Sequence, residues 1–97
     1  MQTFEEVLAA KIKECGELMM RKQADYGPGN IADYGVLGVA VRINDKSQRL
    51  KNLLTKNRQP TNESMRDTFM DLANYGLIGL MLIDGDWGKP MKSELDT

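Results

Sequence analysis

Three rows of polar side chains in this 97-residue sequence have the types and spacing that chemistry requires. The first is acidic: Glu63, Asp67 and Asp71, at i, i+4 and i+8. On a helix that spacing stacks the carboxylates along one face. Asn74 extends the row, seven residues after Asp67. Exposed like charges at this spacing repel by roughly 0.2–0.5 kcal/mol per pair. A divalent cation would remove the repulsion. Mg²⁺ takes oxygen ligands, usually one or two carboxylates together with a phosphate. A solvated face is the competing reading, because acids near a helix N-terminus are favoured by its dipole. Glu63 fits that reading. Asp71 does not, since it lies well past the first turn between Met70 and Leu72. Asp67 and Asp71 are therefore the expected Mg²⁺ ligands.

The second row is mixed. Arg42, Asp45, Lys46 and Arg49 share a helix face at i, i+3, i+4 and i+7. Residues 41 to 58 hold six Lys or Arg against one acid, Asp45, so basic charge is concentrated in the middle of the chain. Arginine suits a bidentate contact with phosphate, and lysine acts as a point charge. The same cations would also neutralise Asp67 and Asp71 across a helix pair. The two readings are compatible, and a buried ion-pair network by itself is weak support for stability.

The third group lies in "KQADYGPGN", residues 22 to 30. Two glycines and a proline stop a helix there. Lys22, Asp25, Tyr26 and Asn30 in the same stretch can also bind. Tyr26 suits stacking on a base, and Asn30 suits reading a base edge or capping the next element. Taken alone the stretch is a helix stop with turn residues; beside the other two rows it becomes the rim of a site.

The elements that must carry these rows are helices. Thr3 followed by Glu6 forms a capping box, and Phe4, Val7, Leu8, Ile12, Cys15, Leu18 and Met19 recur at helical spacing. A first helix is expected from Thr3 to about Asp25. "IADYG", residues 31 to 35, reads as a turn or a single helical turn. A second helix is expected from Val36 to Lys56, with an apolar stripe of Val36, Val39, Ile43, Leu50, Leu53 and Leu54 interrupted at Lys46 and Ser47. A loop with Pro60 covers residues 57 to 62. The third helix, capped by Thr61 or Asn62, is expected to end near Gly85. Its expected core face is Phe69, Leu72, Ala73, Gly76, Leu77, Leu80 and Ile83, with Gly76 and Gly79 read as points of close helix packing. Residues 1–90 form one helical domain on this reading, and 91–97 a polar tail that frays beyond Pro90. No strand alternation is present, so the expected fold is all-α, a small bundle of three principal helices. A chain this short buries a modest fraction of its surface, which favours completion by homo-oligomerisation.

Composition narrows the chemistry further. Hydrophobic residues are 41% and charged residues 28%, as in soluble globular domains. A net charge of −1 argues against general binding of duplex DNA. There is no histidine, so His-ligated zinc and Ser-His-Asp catalysis are excluded. The single cysteine, Cys15, falls in an apolar stripe and reads as a buried thiol. No segment is long and apolar enough to be a signal peptide or membrane span, and a cytoplasmic location is expected.

Taken in order, "KQADYGPGN", "GVAVRINDKSQRLKNL" and "ESMRDTFMDLANYGLIGL" resemble the nucleotide modification associated domain 1 family, small helical proteins of phages and prophages. The carrying positions are Lys22, Asp25, Tyr26, Gly27 and Asn30; Gly38, Val39, Arg42, Asp45, Lys46, Arg49 and Leu50; and Asp67, Thr68, Asp71, Leu72, Asn74 and Tyr75. The third motif is also similar to the acidic helix of the MazG-like all-α nucleoside triphosphate pyrophosphohydrolases, which hold Mg²⁺ between two acidic helices. Here the partner helix is basic, and no clean Glu-Glu-x-x-Glu motif is present. The resemblance implies a link to nucleotide or DNA-base modification. The basic second helix, with no second acidic motif, favours a nucleotide-binding protein without catalysis. In a phage setting, in the host cytoplasm, it would sequester a signalling or modified nucleotide, an anti-defence role, or hold one for a partner enzyme. A Mg²⁺-dependent pyrophosphohydrolase is the alternative, and a structural helical module the third reading. The expected ligand contacts are Lys22, Asp25, Tyr26, Asn30, Arg42, Asp45, Lys46, Arg49 and Asn74.

Overall fold

The structure, a computed structural model, describes residues 1–56 and 62–95. Three long helices and a short one make up the fold: α1 (Phe4–Tyr26), α2 (Gly29–Thr55), α3 (Asn62–Ile83) and α4 (Lys92–Leu95). No strand occurs among the described residues, so the fold is all-α as expected. The loop expected over 57–62 and the Thr61 cap lie outside the described residues, apart from Asn62 at the start of α3. No described helix is long and apolar enough to cross a membrane.

The helix ends follow from local chemistry. Thr3 caps α1, its hydroxyl oxygen accepting from the Glu6 N–H at 3.2 Å. At the other end Gly27 takes a φ of 71° and its N–H closes on the Gln23 carbonyl at 2.9 Å. Pro28 then opens α2. That helix is broken at Gly35, where φ is 60° and ψ is −150°. "IADYG" is thus a helical turn set at an angle to the longer segment that follows. α3 closes through Gly85, at φ 75°, with the Asp86 N–H reaching back to the Met81 carbonyl at 2.7 Å. The tail differs from the fraying expected of it. A further helical turn forms at α4, where the Glu94 carboxylate accepts from the Met91 N–H at 3.0 Å.

α2 and α3 make the principal helix pair, and α1 crosses α3 with a smaller contact. The core is small. Val39 of α2 and Ile78 of α3 are buried, together with the polar Thr68 and Asn74. Thr68 satisfies its hydroxyl by donating to the Ser64 carbonyl one turn back, at 2.8 Å. No residue of α1 is fully buried.

One expectation is overturned. The face of α3 read as its core, Phe69, Leu72, Ala73, Gly76, Leu77, Leu80 and Ile83, is largely turned outward: Phe69, Leu77, Leu80 and Ile83 are exposed. A Cβ at Gly76 or Gly79 would meet nothing within 4 Å, so neither glycine serves close packing inside this chain. The reason is that α3 is apolar around most of its circumference, and hydrophobicity alone does not set its rotation. Its polar residues set it instead. Asp71 and Asn74 find their partners only when they face α1 and α2.

Gly35 gives a direct test of the helix break. Positive φ with ψ near −150° is a region that essentially only glycine occupies. A Cβ there meets nothing within 4 Å, so the cost of adding one is conformational and not steric. Gly35→Ala is expected to lower unfolding stability by about 1–3 kcal/mol, measured by urea unfolding followed by circular dichroism.

Candidate functional site

The exit of α1, the start of α2 and the middle of α3 enclose a cavity of about 300 Å³. α1 contributes Met19, Lys22, Gln23 and Tyr26 from its last two turns. The helix stop at Gly27 and Pro28 turns the chain so that Asn30 and Ile31 form the next part of the wall. Arg42 enters from α2, and Asp71, Asn74, Tyr75 and Ile78 from α3. The last wall is Trp87, from beyond the end of α3. Its indole N–H donates to the Pro28 carbonyl at 3.1 Å, which ties the segment after α3 to the α1–α2 turn.

Asp71 is the electrostatic centre. Its Oδ1 lies 3.2 Å from the Lys22 ammonium of α1, and its Oδ2 lies 2.8 Å from the Lys46 ammonium of α2. The Asp71 side chain is only 16% exposed, against 52% for Lys22 and 32% for Lys46. Burial pushes the Asp71 carboxyl up; the hydrogen bonds and charges of Lys46 and Lys22 outweigh this and hold it below the usual aspartate range. Arg42 of α2 lines the same cavity as Lys22 and Asp71. Two ammonium groups therefore share one carboxylate, and the Arg42 guanidinium belongs to the wall of the same cavity.

Asn74 stands beside this cluster and is buried. Its Nδ2 donates to the Cys15 carbonyl of α1 at 3.0 Å, which fixes the orientation of the amide. Its Oδ1 has no hydrogen-bond partner. A buried acceptor left unpaired costs roughly 1–3 kcal/mol, so a donor brought by a ligand would find a prepared site. Farther along the α1–α3 contact, Arg66 pairs with Glu14 through two bonds of 2.5 and 2.6 Å. The Arg66 hydrogen bond keeps the Glu14 carboxyl below its ordinary value. That pair is a fastening between helices and lies outside the cavity lining.

Of the residues singled out in the sequence, Lys22, Tyr26, Asn30, Arg42, Asp71 and Asn74 line the cavity. Lys46 joins them through Asp71. Asp25, Asp45, Arg49 and Asp67 are exposed and are not part of the lining. Glu63 lies in the first turn of α3, and its side chain is outside the described residues. Gln23, Tyr75 and Trp87 are the polar and aromatic lining residues that were not among the expected contacts. Tyr75 directly follows Asn74 and carried no periodic signal of its own. Gln23 was hidden by its neutral side chain. Trp87 carries no role in the sequence reading, although a lone tryptophan just past a helix end suggests an anchor.

The expected Mg²⁺ pair takes on a different character. Both Asp71 oxygens already face ammonium groups, so a metal there would have to displace Lys22 and Lys46. Asp67, one turn away, is exposed. Among the described residues no group of three or more Asp, Glu, Cys or His is placed to share an ion. As placed, the Asp71 carboxylate is neutralised by lysine.

The shifted Asp71 carboxyl predicts a pH dependence. Its folded value lies below the unfolded one, which is about 3.9. Its contribution to stability is then complete above the unfolded value and is lost as pH falls through the lowered folded value. Asp71→Asn keeps the shape and removes the charge. Because both lysines are partly exposed, the expected loss at neutral pH is about 1 kcal/mol. The difference between the two proteins should hold constant down to about pH 5 and vanish in stronger acid. Urea midpoints across a pH series read it directly.

No curated protein and no solved structure matches the chain. One family does. The match to nucleotide modification associated domain 1 runs over residues 22–83, nearly two thirds of the chain. It begins at Lys22 and takes in Arg42, Lys46, Asp71 and Asn74, and the helix break at Gly35. On that match the chain belongs to the nucleotide modification associated domain 1 family.

Proposed function

We propose that this chain binds a nucleotide in the cavity and holds it without transforming it. One observation carries the reading: Lys22 and Arg42 both line a cavity of nucleotide-fragment size, beside an Asp71 carboxylate that Lys22 and Lys46 share. The phosphate sits against Lys22 and Arg42, where arginine can offer a paired contact and lysine a point charge. The base lies among Tyr26, Tyr75 and Trp87, whose rings supply stacking surface. Asn74 Oδ1 accepts from a base N–H. In this reading Asp71 is a positioning residue, holding the Lys22 and Lys46 ammonium groups close to one another against their mutual repulsion. Membership of a family associated with nucleotide modification supports the ligand class. A protein of this kind would sequester a signalling or modified nucleotide, or hold one for a partner enzyme.

Calorimetric titration with nucleoside mono-, di- and triphosphates and cyclic nucleotides tests the proposal. Arg42→Ala is expected to weaken binding about 10- to 100-fold, the loss of one charge-assisted contact, with an unchanged circular dichroism spectrum. Arg42→Lys should recover only part of the affinity. Arg49→Ala, outside the cavity, should leave affinity unaltered. Mass spectrometry after denaturation should return the ligand intact. Mg²⁺-dependent release of pyrophosphate from a nucleoside triphosphate, lost in Asp71→Asn, would overturn the proposal in favour of a hydrolase.

A further inference from the structure

The outer face of α3 has no role in the single chain. Phe69, Ala73, Gly76, Leu80 and Ile83 follow one another at spacings of four, three, four and three residues. That is the seam pattern of helices that pack side by side. Phe69 is 56% exposed, Leu80 58% and Ile83 72%, and Leu77 beside them is exposed as well. The inner face of the same helix packs on α1 and α2. A helix apolar on both sides belongs in the interior of an assembly.

Two further observations point the same way. A folded monomer of 10.9 kDa exposes about 5,600 Å². This chain exposes 7507 Å². The surplus, about 1,900 Å², matches what one copy gives up in an obligate homodimer. The radius of gyration tells the same story, 15.4 Å against about 12.5 Å for a compact domain of this length. The second observation is Gly76. Glycine weakens the middle of a helix relative to alanine, and a Cβ at this position meets nothing within 4 Å in the chain. Nothing internal explains the glycine. Close approach of another helix does.

We infer that a second copy of this chain covers the outer face of α3, the two helices crossing antiparallel about a two-fold axis at Gly76. The seam is self-complementary in that arrangement. Gly76 is its midpoint, so the Phe69 end of one helix meets the Ile83 end of the other, and the two glycines meet at the crossing. The seam carries no Asp, Glu, Lys or Arg, so it offers no charge pattern by which to select a different, charged partner. An uncharged surface of equal length is what the chain itself supplies. The inference is independent of the nucleotide reading, since no seam residue lines the cavity.

Gly76→Leu separates the alternatives by sign. In a lone chain the added side chain meets open space and leucine favours the helix, so the melting temperature should rise. At a dimer seam it blocks the approach, so the melting temperature should fall and light scattering should report the mass of one chain. Wild-type protein is expected to scatter as a dimer, and Leu80→Glu as a monomer. If these variants aggregate, Gly76→Cys in a Cys15→Ser background provides the second measurement. Under mild oxidation it should form a covalent dimer, whereas Asn44→Cys on exposed α2 should not. A wild-type monomer at the highest soluble concentration overturns the inference. So does a dimer that survives both Gly76→Leu and Leu80→Glu, or a Gly76→Cys protein that fails to crosslink.

Discussion

A single carboxylate joins all three long helices. Asp71 belongs to α3, and its two oxygens are divided between Lys22 of α1 and Lys46 of α2. With Val39 and Ile78 the buried apolar residues among those described, this junction carries orientation that a larger core would otherwise impose. Ion pairs of this kind add little net stability, because desolvation offsets much of the attraction. What they supply is register: the rotation of α3 that faces Asp71 inward also brings Asn74 to the Cys15 carbonyl. The cavity follows from that rotation, since Asp71, Asn74, Tyr75 and Ile78 all reach it from one side of α3.

Much of the outline was legible in the sequence because it depends on neighbours along the chain. Thr3 and Glu6 announced the start of α1, Gly27 and Pro28 its end, and the glycine of "IADYG" the break before the longer part of α2. The rows of Lys22, Arg42, Lys46, Asp71 and Asn74 were legible for the same reason, because helical spacing decides which side chains share a face. The rotation of α3 was not legible. Periodicity finds the most apolar face, and the most apolar face of this helix points away from the chain's own core. The choice between two apolar faces is made by Asp71 and Asn74, whose partners lie 49 and 59 residues away in sequence. Trp87 was missed on similar grounds. Its role depends on the Pro28 carbonyl, also 59 residues distant, with no local signal linking them.

The same cluster sets stability against readiness to bind. Lys22 and Lys46 share the single Asp71 carboxylate, and Asn74 keeps a buried acceptor without a hydrogen-bond partner. The unpaired acceptor weakens the fold, and a ligand that supplied a donor there would return stability by binding. A chain with a small core tolerates such a site only if stability comes from elsewhere, and α3 has an unused apolar face from which to draw it.

Trp87 has an optical consequence. It is the one tryptophan in the sequence, its indole N–H is held by the Pro28 carbonyl, and it borders both the main cavity and a neighbouring methionine-rich hollow lined by Met19, Met20, Met81 and Met91. Its emission therefore reports on one place alone. An occupant stacking on the ring would quench it, and release of the indole toward water would shift the band to the red. The unmodified chain carries its own fluorophore in the wall of its own site.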